Sequence, residues 1–526
     1  MAELPLIELR DIRKRFGQVR ALAGVDFAVR RGEVHVLAGE NGAGKTTLMN
    51  VLAGLYQPDA GEVVVRGRAV RITCPRDALG LGIGMVHQHF ELVPPFSALE
   101  NVLLGREGRR WWLDRRGQRR RVEALMAQYG LGVELDARVR DLSVGVQQKV
   151  EILKALFRGV DLLILDEPTT HLTPQEVDYL FATTRRLVER GLTVILITHK
   201  VREMLAIGDR LTVMRRGEIV GTLARAEATE SRLIELLMGS GARVEPAAVG
   251  APGPMRSEAL SKSGELGATG RPPAATEVPA LELVGVTAPG LRVEALALRA
   301  GELLGVAGVA GNGQRELAEV IVGLRPVTAG AIRLRGWDCG RASVRERILA
   351  GLAYVPEDRL AEGILPRQSL AESFVLGAHH LLFRGRRIFD AARARALCRR
   401  AIEDYRIVAQ GPEVRSATLS GGNIQKALVA RAVLVADQVE RAVLVAMNPT
   451  RGLDIGTTEF VHRRLRELRE RGKAVLLISE DLDELIELCD RIAVLYRGQL
   501  AGLRERSAFD PYRLGALMVG ADGGAG

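Results

Sequence analysis

Short apolar runs punctuate the chain: VHVLAG at 34–39, DLLILDEP at 161–168 and LTVILITH at 192–199. Each reads as a buried β-strand, and stretches of helical pattern separate them. Strands alternating with helices predict α/β folding around a mainly parallel sheet, with ligands taken at the strand C-terminal ends. The pattern is then repeated. Gly32-Glu33 matches Gly301-Glu302 and Met85-Val86-His87-Gln88 matches Tyr354-Val355-Pro356-Glu357, both offset by 269 positions. Ser143 matches Ser420 at an offset of 277, and GDRLTVMRRGE at 208–218 matches CDRIAVLYRGQ at 489–499 at an offset of 281. Small insertions in surface loops of a duplicated domain produce such drift. The expected organisation is a first domain at 1–239, a linker at 240–278, a second domain at 279–520 and a tail at 521–526. The linker is rich in Ala, Gly, Pro and Ser and has no apolar period.

Composition changes this picture little. With 526 residues, 47% hydrophobic and 26% charged, the chain has ordinary globular proportions and room for several cores. Apolar runs such as Leu162–Leu165 are far below the roughly 18 residues of a membrane span, and MAELPLIELRDIRKRF lacks a signal-peptide core, so a cytosolic chain is expected. The four cysteines, Cys74, Cys339, Cys398 and Cys489, have no metal-site spacing and read as buried free thiols. A net charge of +10 raises nucleic acid or an anionic membrane as partners, yet the arginines are spread along the chain and no nucleic-acid motif accompanies them. No nucleic-acid partner is therefore expected.

The candidate chemistry begins with GENGAGKTT at 39–47, which fits GxxxxGK[ST] between a strand and a helix starting near Thr46. Backbone N–H groups from Gly42 to Lys45 would cradle phosphate oxygens, Lys45 would add a point charge, and the Thr46 hydroxyl would reach Mg²⁺. Gly39, Asn41, Gly42, Gly44, Lys45, Thr46 and Thr47 are thus candidate nucleotide contacts. Strand 162–165 delivers Asp166 as a second metal ligand, and Glu167, at the turn that follows, is the candidate base for water. The repeat's version of the loop, GVAGNGQRE at 308–316, lacks the lysine.

Together with LSVGVQQK at 142–149, these motifs resemble the nucleotide-binding subunits of ABC transporters. The resemblance spans both halves and implies two homologous P-loop ATPase domains, each a RecA-like core with a β-subdomain and a helical subdomain. It implies that Phe16 stacks on adenine, that Gln88 touches metal and water, and that His199 contacts the γ-phosphate. In this family ATP lies between one domain's phosphate loop and the other's signature. The complete site would then join Phe16, Lys45, Thr46, Gln88, Asp166, Glu167 and His199 to Ser420, Gly421, Gly422 and Asp454. The opposite site would collect the defects: LSVGV and Thr173 from the first half, with Gln314, Arg315, Glu357, Met447, Asn448 and Glu480 from the second. Its loop either holds nucleotide without turnover, aided by the Arg315 cation, or is only a structural turn.

By the same resemblance the chain would be the ATP- and Mg²⁺-dependent motor of a bacterial importer, peripheral at the cytoplasmic membrane face. Its partners would be two transmembrane permease subunits and, indirectly, an extracytoplasmic substrate-binding lipoprotein. AMNPTRGLDIG at 446–456 and ISEDLDELIELCDRIAVLYRGQ at 478–499 look like the nucleoside branch; a simple-sugar importer is the alternative. A soluble tandem ATPase acting on ribosomes or nucleic acid is the rival from another class. The segment WWLDRRGQRRR at 111–121 is either a contact for anionic lipid or permease, or a solvated helix face.

Overall fold

A chain of this pattern must bury continuous apolar strands on both faces, and the structure, a computed structural model, shows how it does so. It describes residues 5–17, 19–88, 90–105, 114–170, 172–238, 278–383 and 389–520. The linker expected at 240–278 (apart from Val278), the tail at 521–526 and residues 111–113 of the basic segment lie outside the described residues. Two compact units emerge, Met1–Pro246 and Ala247–Gly526.

In the first unit a six-stranded sheet runs in the order Glu218–Ala224, Arg210–Arg215, Val34–Gly39, Thr193–Thr198, Leu162–Asp166 and Ile83–Val86. Every pair is parallel except the edge pair formed by 218–224. Strands 34–39, 162–166 and 193–198 are buried at every residue, which is why their sequences show no alternation. A separate antiparallel sheet, ordered Val19–Val29, Ile7–Phe16, Ala60–Val65 and Arg68–Val70, packs its inner face into the same core. The second unit repeats both layers, and one parallel bridge between Arg292 and Gln499 joins them into a ten-stranded sheet. Helices Val144–Phe157 and Gly421–Asp437 carry long buried faces and lead into the strands Leu162–Asp166 and Val443–Met447.

All four cysteines are free, but only Cys339, Cys398 and Cys489 are buried. Cys74 is partly exposed, at the N-cap of the short helix Pro75–Gly80.

One buried cation organises the second unit. The guanidinium of Arg347 donates to the carbonyls of Val320 at 2.6 Å, Ile321 at 2.7 Å, Ala342 at 3.2 Å and Gly340 at 3.3 Å. Val320 and Ile321 lie in the last turn of helix Gln314–Val322, whose carbonyls have no partners within the helix, so the cation also meets the negative end of the helix dipole. Replacing Arg347 by Met should destabilise the second unit by about 3 kcal/mol, because it strands these carbonyls. Urea denaturation monitored on that unit tests this; a loss below about 1 kcal/mol would show that other donors substitute.

Candidate active site

The first phosphate loop follows a strand that ends at Gly39 and precedes the helix Lys45–Leu52, which starts one residue earlier than its sequence suggests. Gly44 sits at the helix N-cap with φ 101° and no side-chain cap, leaving the first N–H groups of the helix available to an anion. Glycine is required there on two counts. The φ is left-handed, and a Cβ would lie 2.7 Å from the Ala21 carbonyl oxygen. Lys45 is only 5% exposed, and its Nζ donates to the carbonyls of Gly39 at 2.7 Å and Glu40 at 3.0 Å. Burial pushes its pKa below the ordinary lysine value, against the raising pull of Glu167, Asp166 and Glu40.

Asp166 ends the buried strand. Burial, then the neighbouring charge of Glu167, raises its pKa, while a hydrogen bond with Thr46 and the charge of Lys45 act in the opposite sense. Thr46 and Asp166 thus present paired hard oxygens. Glu167 adopts φ 45°, a left-handed turn that swings its carboxylate off the strand, and its own N–H is tied to the Ile197 carbonyl at 3.0 Å. Its Oε1 lies 3.3 Å from His199 Nδ1, and its Oε2 accepts from Gln88 Nε2 at 3.4 Å. Burial alone would raise its pKa, but the His199 hydrogen bond and the charges of His199, Lys45 and Lys200 outweigh it and hold the group ionised below the usual carboxylate range. Lys45, Thr46, Gln88, Asp166, Glu167 and His199 therefore converge at the C-terminal ends of parallel strands. Phe16 closes the hairpin whose second strand abuts Gly44, and is 43% exposed. Asn41, Gly42 and Thr46 are exposed on the loop, and Thr47 is half-buried.

Three neighbours escape a reading of motifs. Tyr56 meets Phe16 edge-on, with centroids 5.2 Å apart and planes at 69°. Thr198 Oγ1 donates to the buried Glu203 at 2.7 Å and accepts from Lys200 N at 3.2 Å, fixing the turn that carries His199. Glu176 caps its own helix through Thr173, and a Cβ on the signature residue Gly145 would strike its Oε1 at 2.3 Å. A carboxylate thus packs against Gly145 of the first unit's signature, while Ser143 at its start is exposed. The pairing of a helix-capping acid with a remote glycine has no sequence signal.

In the second unit Ser420, Gly421, Gly422 and Asp454 lie together. Ser420 and Gly421 are exposed, Ser420 Oγ accepts from Asn423 at 2.8 Å, and Gly422 faces Thr457 and Asp454. Asp454 is the N-cap of helix Ile455–Glu470, bonded to Thr457 N and Oγ1 at 2.8 Å each. The second loop keeps the backbone of the first: Gly311 and Gly313 have φ 86° and 102°, against 82° and 101° at Gly42 and Gly44. Its chemistry differs. Gln314 is buried, and its Nε2 has no hydrogen-bond partner among the described residues. Arg315 is not the free cation expected from sequence: it pairs with Glu319 at 2.9 Å and Glu362 at 2.6 Å. Asn312 fastens the loop to the Met518 carbonyl and the Arg497 N–H, both at 3.0 Å.

Two phosphate loops on repeated parallel-sheet units, one of them fully equipped, define a tandem P-loop ATPase. The sequence pattern of the family described as "ABC transporter" matches residues 22–170 and 291–440. The nucleoside import ATP-binding protein NupA of Lactococcus lactis is 40% identical, covering 99% of each chain. The glucose import ATP-binding protein TsgD13 of Haloferax volcanii is 39% identical over 99% of this chain and 96% of its own, and the guanosine import ATP-binding protein NupO of Bacillus subtilis 38% over 98% and 97%. The chain belongs to the ABC transporter family, as an ATP-binding, ATP-hydrolysing subunit of the importer type. Lys45→Ala should abolish ATP hydrolysis, while Gln314→Ala should leave the rate within about twofold, because only Lys45 adds charge at a phosphate loop. Steady-state phosphate release decides, and comparable losses in the two variants would refute a single working loop.

Proposed function

We propose that this chain drives uptake of nucleosides through two separate permease subunits, supplied by an extracytoplasmic substrate-binding lipoprotein, from a peripheral position on the cytoplasmic membrane face. One ATP would be held by Phe16, the loop from Gly39 to Thr47 and Gln88 of the first unit, with Ser420, Gly421, Gly422 and Asp454 of the second. The observation that carries this reading is the sorting of intact parts. The unit with Lys45, Asp166, Glu167 and His199 carries Val144 in its own signature and Glu176 hard against Gly145, whereas the unit with an emptied loop keeps two adjacent glycines, Gly421 and Gly422, after an exposed Ser420. ATP touching both units only when they close would convert binding and hydrolysis into a two-state motion.

Mg²⁺ fits the donor set. Thr46 and Asp166 offer adjacent oxygens with Gln88 nearby, and a sparse protein shell suits an ion that keeps waters and phosphate oxygens as ligands; no three His, Cys, Asp or Glu side chains are placed to hold a metal by themselves among the described residues. Bound there, Mg²⁺ would neutralise charge building on the phosphates. Lys45 would leave the Gly39 and Glu40 carbonyls for phosphate oxygens. Glu167, held ionised, would take the proton of the attacking water, and His199 would orient Glu167 and donate to the γ-phosphate. No helix among the described residues is long and apolar enough to cross a membrane. This is consistent with separate permeases.

Nucleosides are favoured by NupA and NupO and by the non-acidic Met447-Asn448 pair; the likeness to TsgD13 supports a sugar as the second reading. The second loop, with its retained glycine geometry, would hold nucleotide without turnover. Binding to a Glu167→Gln chain should then saturate at two nucleotides, and one per chain would reduce that loop to a structural turn. Vesicles carrying the chain with its permeases and lipoprotein should take up labelled nucleosides in an ATP- and Lys45-dependent manner. Lys45-dependent uptake of pentoses or hexoses instead would transfer the assignment to sugars, and ATP hydrolysis without transport of either would overturn the cargo.

A further inference from the structure

The second unit has exchanged the two members of a hydrogen bond. In the first unit an amide on the loop, Gln88, donates to a carboxylate at the strand end, Glu167. In the second, the strand-end amide Asn448 donates through Nδ2 to the loop carboxylate Glu357 at 3.0 Å, while its Oδ1 accepts from Glu480 N at 3.1 Å. Both units thus link three strand ends, but in the second the link is an amide at the centre, with no carboxylate there and no histidine. Glu357 is also paired with Arg451, which stands where the first unit has Thr170.

The same segment reaches the signature. From Glu357 to the N-cap Ser369 is twelve positions, against nine from Gln88 to Ser97, and the longer segment builds a turn at Arg359–Gly363 capped by Asp358. Arg359 donates through Nη2 to the Arg451 carbonyl, and its Nη1 lies 3.2 Å from where a Cβ on Gly421 would be. Glu362 is held by Arg315, and the Gly363 carbonyl accepts from Arg431 of the signature helix at 2.9 Å. The first unit has the last tie, Lys154 Nζ to the Glu91 carbonyl at 2.9 Å, but Thr46 and Thr170 in place of the two arginines. The turn is therefore a strut, pinned to the core by Glu357 and Glu362 and to the signature helix by the Gly363 carbonyl, with Arg359 bonded to Arg451 and packed beside Gly421.

We propose that Arg359 and Arg451, held by Glu357 and Asn448, are positioning residues that set the pose of the Ser420–Gly422 turn, and set it without nucleotide. This rests on the reading that the turn completes the ATP site of the first unit. Neither arginine need touch ATP; each acts through Gly421. The strut does for the second unit what bound nucleotide and metal would do for the first, so the signature is presented ready-made.

Full-length Arg359→Ala and Arg451→Ala chains test this by steady-state hydrolysis, ADP affinity and hydrogen exchange. Each should lower kcat about tenfold, the scale of a misplaced catalytic contact, with the Kd for ADP at the first loop, which does not need the signature turn, unchanged. Arg359→Lys, which keeps a donor, should recover most of the rate. Before any nucleotide is added, exchange at 357–363 should already be slower than at 87–93. Rates within twofold of the parent in both alanine variants, or nucleotide-free exchange as fast at 357–363 as at 87–93, would overturn the proposal. If an alanine variant does not fold, Arg359→Met and Glu357→Gln carry the test by the same criteria. The one-site reading itself fails differently, by hydrolysis that survives Lys45→Ala.

Discussion

A buried ammonium facing two adjacent carboxylates is the constraint around which the first unit is built. Lys45 is brought there by a helix that can begin only because Gly44 turns left-handed, and Asp166 and Glu167 by a strand with no polar residue before its end. Three like and unlike charges in a partly buried cleft shift one another's pKa values; burial lowers that of Lys45 and raises that of Asp166, while the His199 hydrogen bond helps hold Glu167 below the usual carboxylate range. The cluster is poised for a polyanion and a hard cation arriving together, and the parallel sheet keeps it rigid until they do.

The second unit shows what happens to that arrangement when the charges are removed. Without the ammonium, Met447 in place of the first carboxylate leaves no unpaired anion, and Asn448 in place of the second turns an acceptor into a donor and acceptor that can stitch its neighbours together. The architecture survives because its strands are held by apolar burial, which does not depend on the catalytic groups. Loss of chemistry and gain of cross-links are thus two descriptions of the same substitutions.

Much of this was legible in the chain itself. Continuous apolar runs announce doubly covered strands, and the residues next to them, Lys45, Asp166, Glu167 and His199, fall where parallel strands end, so both the α/β repeat and the convergence of the site follow from local pattern. What pattern could not supply are contacts between segments of no fixed spacing: Glu176 over Gly145, Tyr56 against Phe16, and Glu319 and Glu362 neutralising Arg315. Arg315 looked like a cation on offer because a sequence shows charges and not their partners. Thr173 and Asp454, read as positions of a catalytic loop, are first of all helix caps, a role their residue types satisfy whether or not a nucleotide is near.

Gly313 of the second loop has a consequence for how such chains drift. A Cβ there would lie 2.9 Å from the Gly498 Cα, in a backbone region that side chains rarely adopt, and Asn312 beside it holds the closing helix of the chain in place. The glycines are therefore kept by packing even where no phosphate needs them. A motif can outlive its chemistry as a fossil in the backbone, and a glycine pattern records ancestry more faithfully than it records activity.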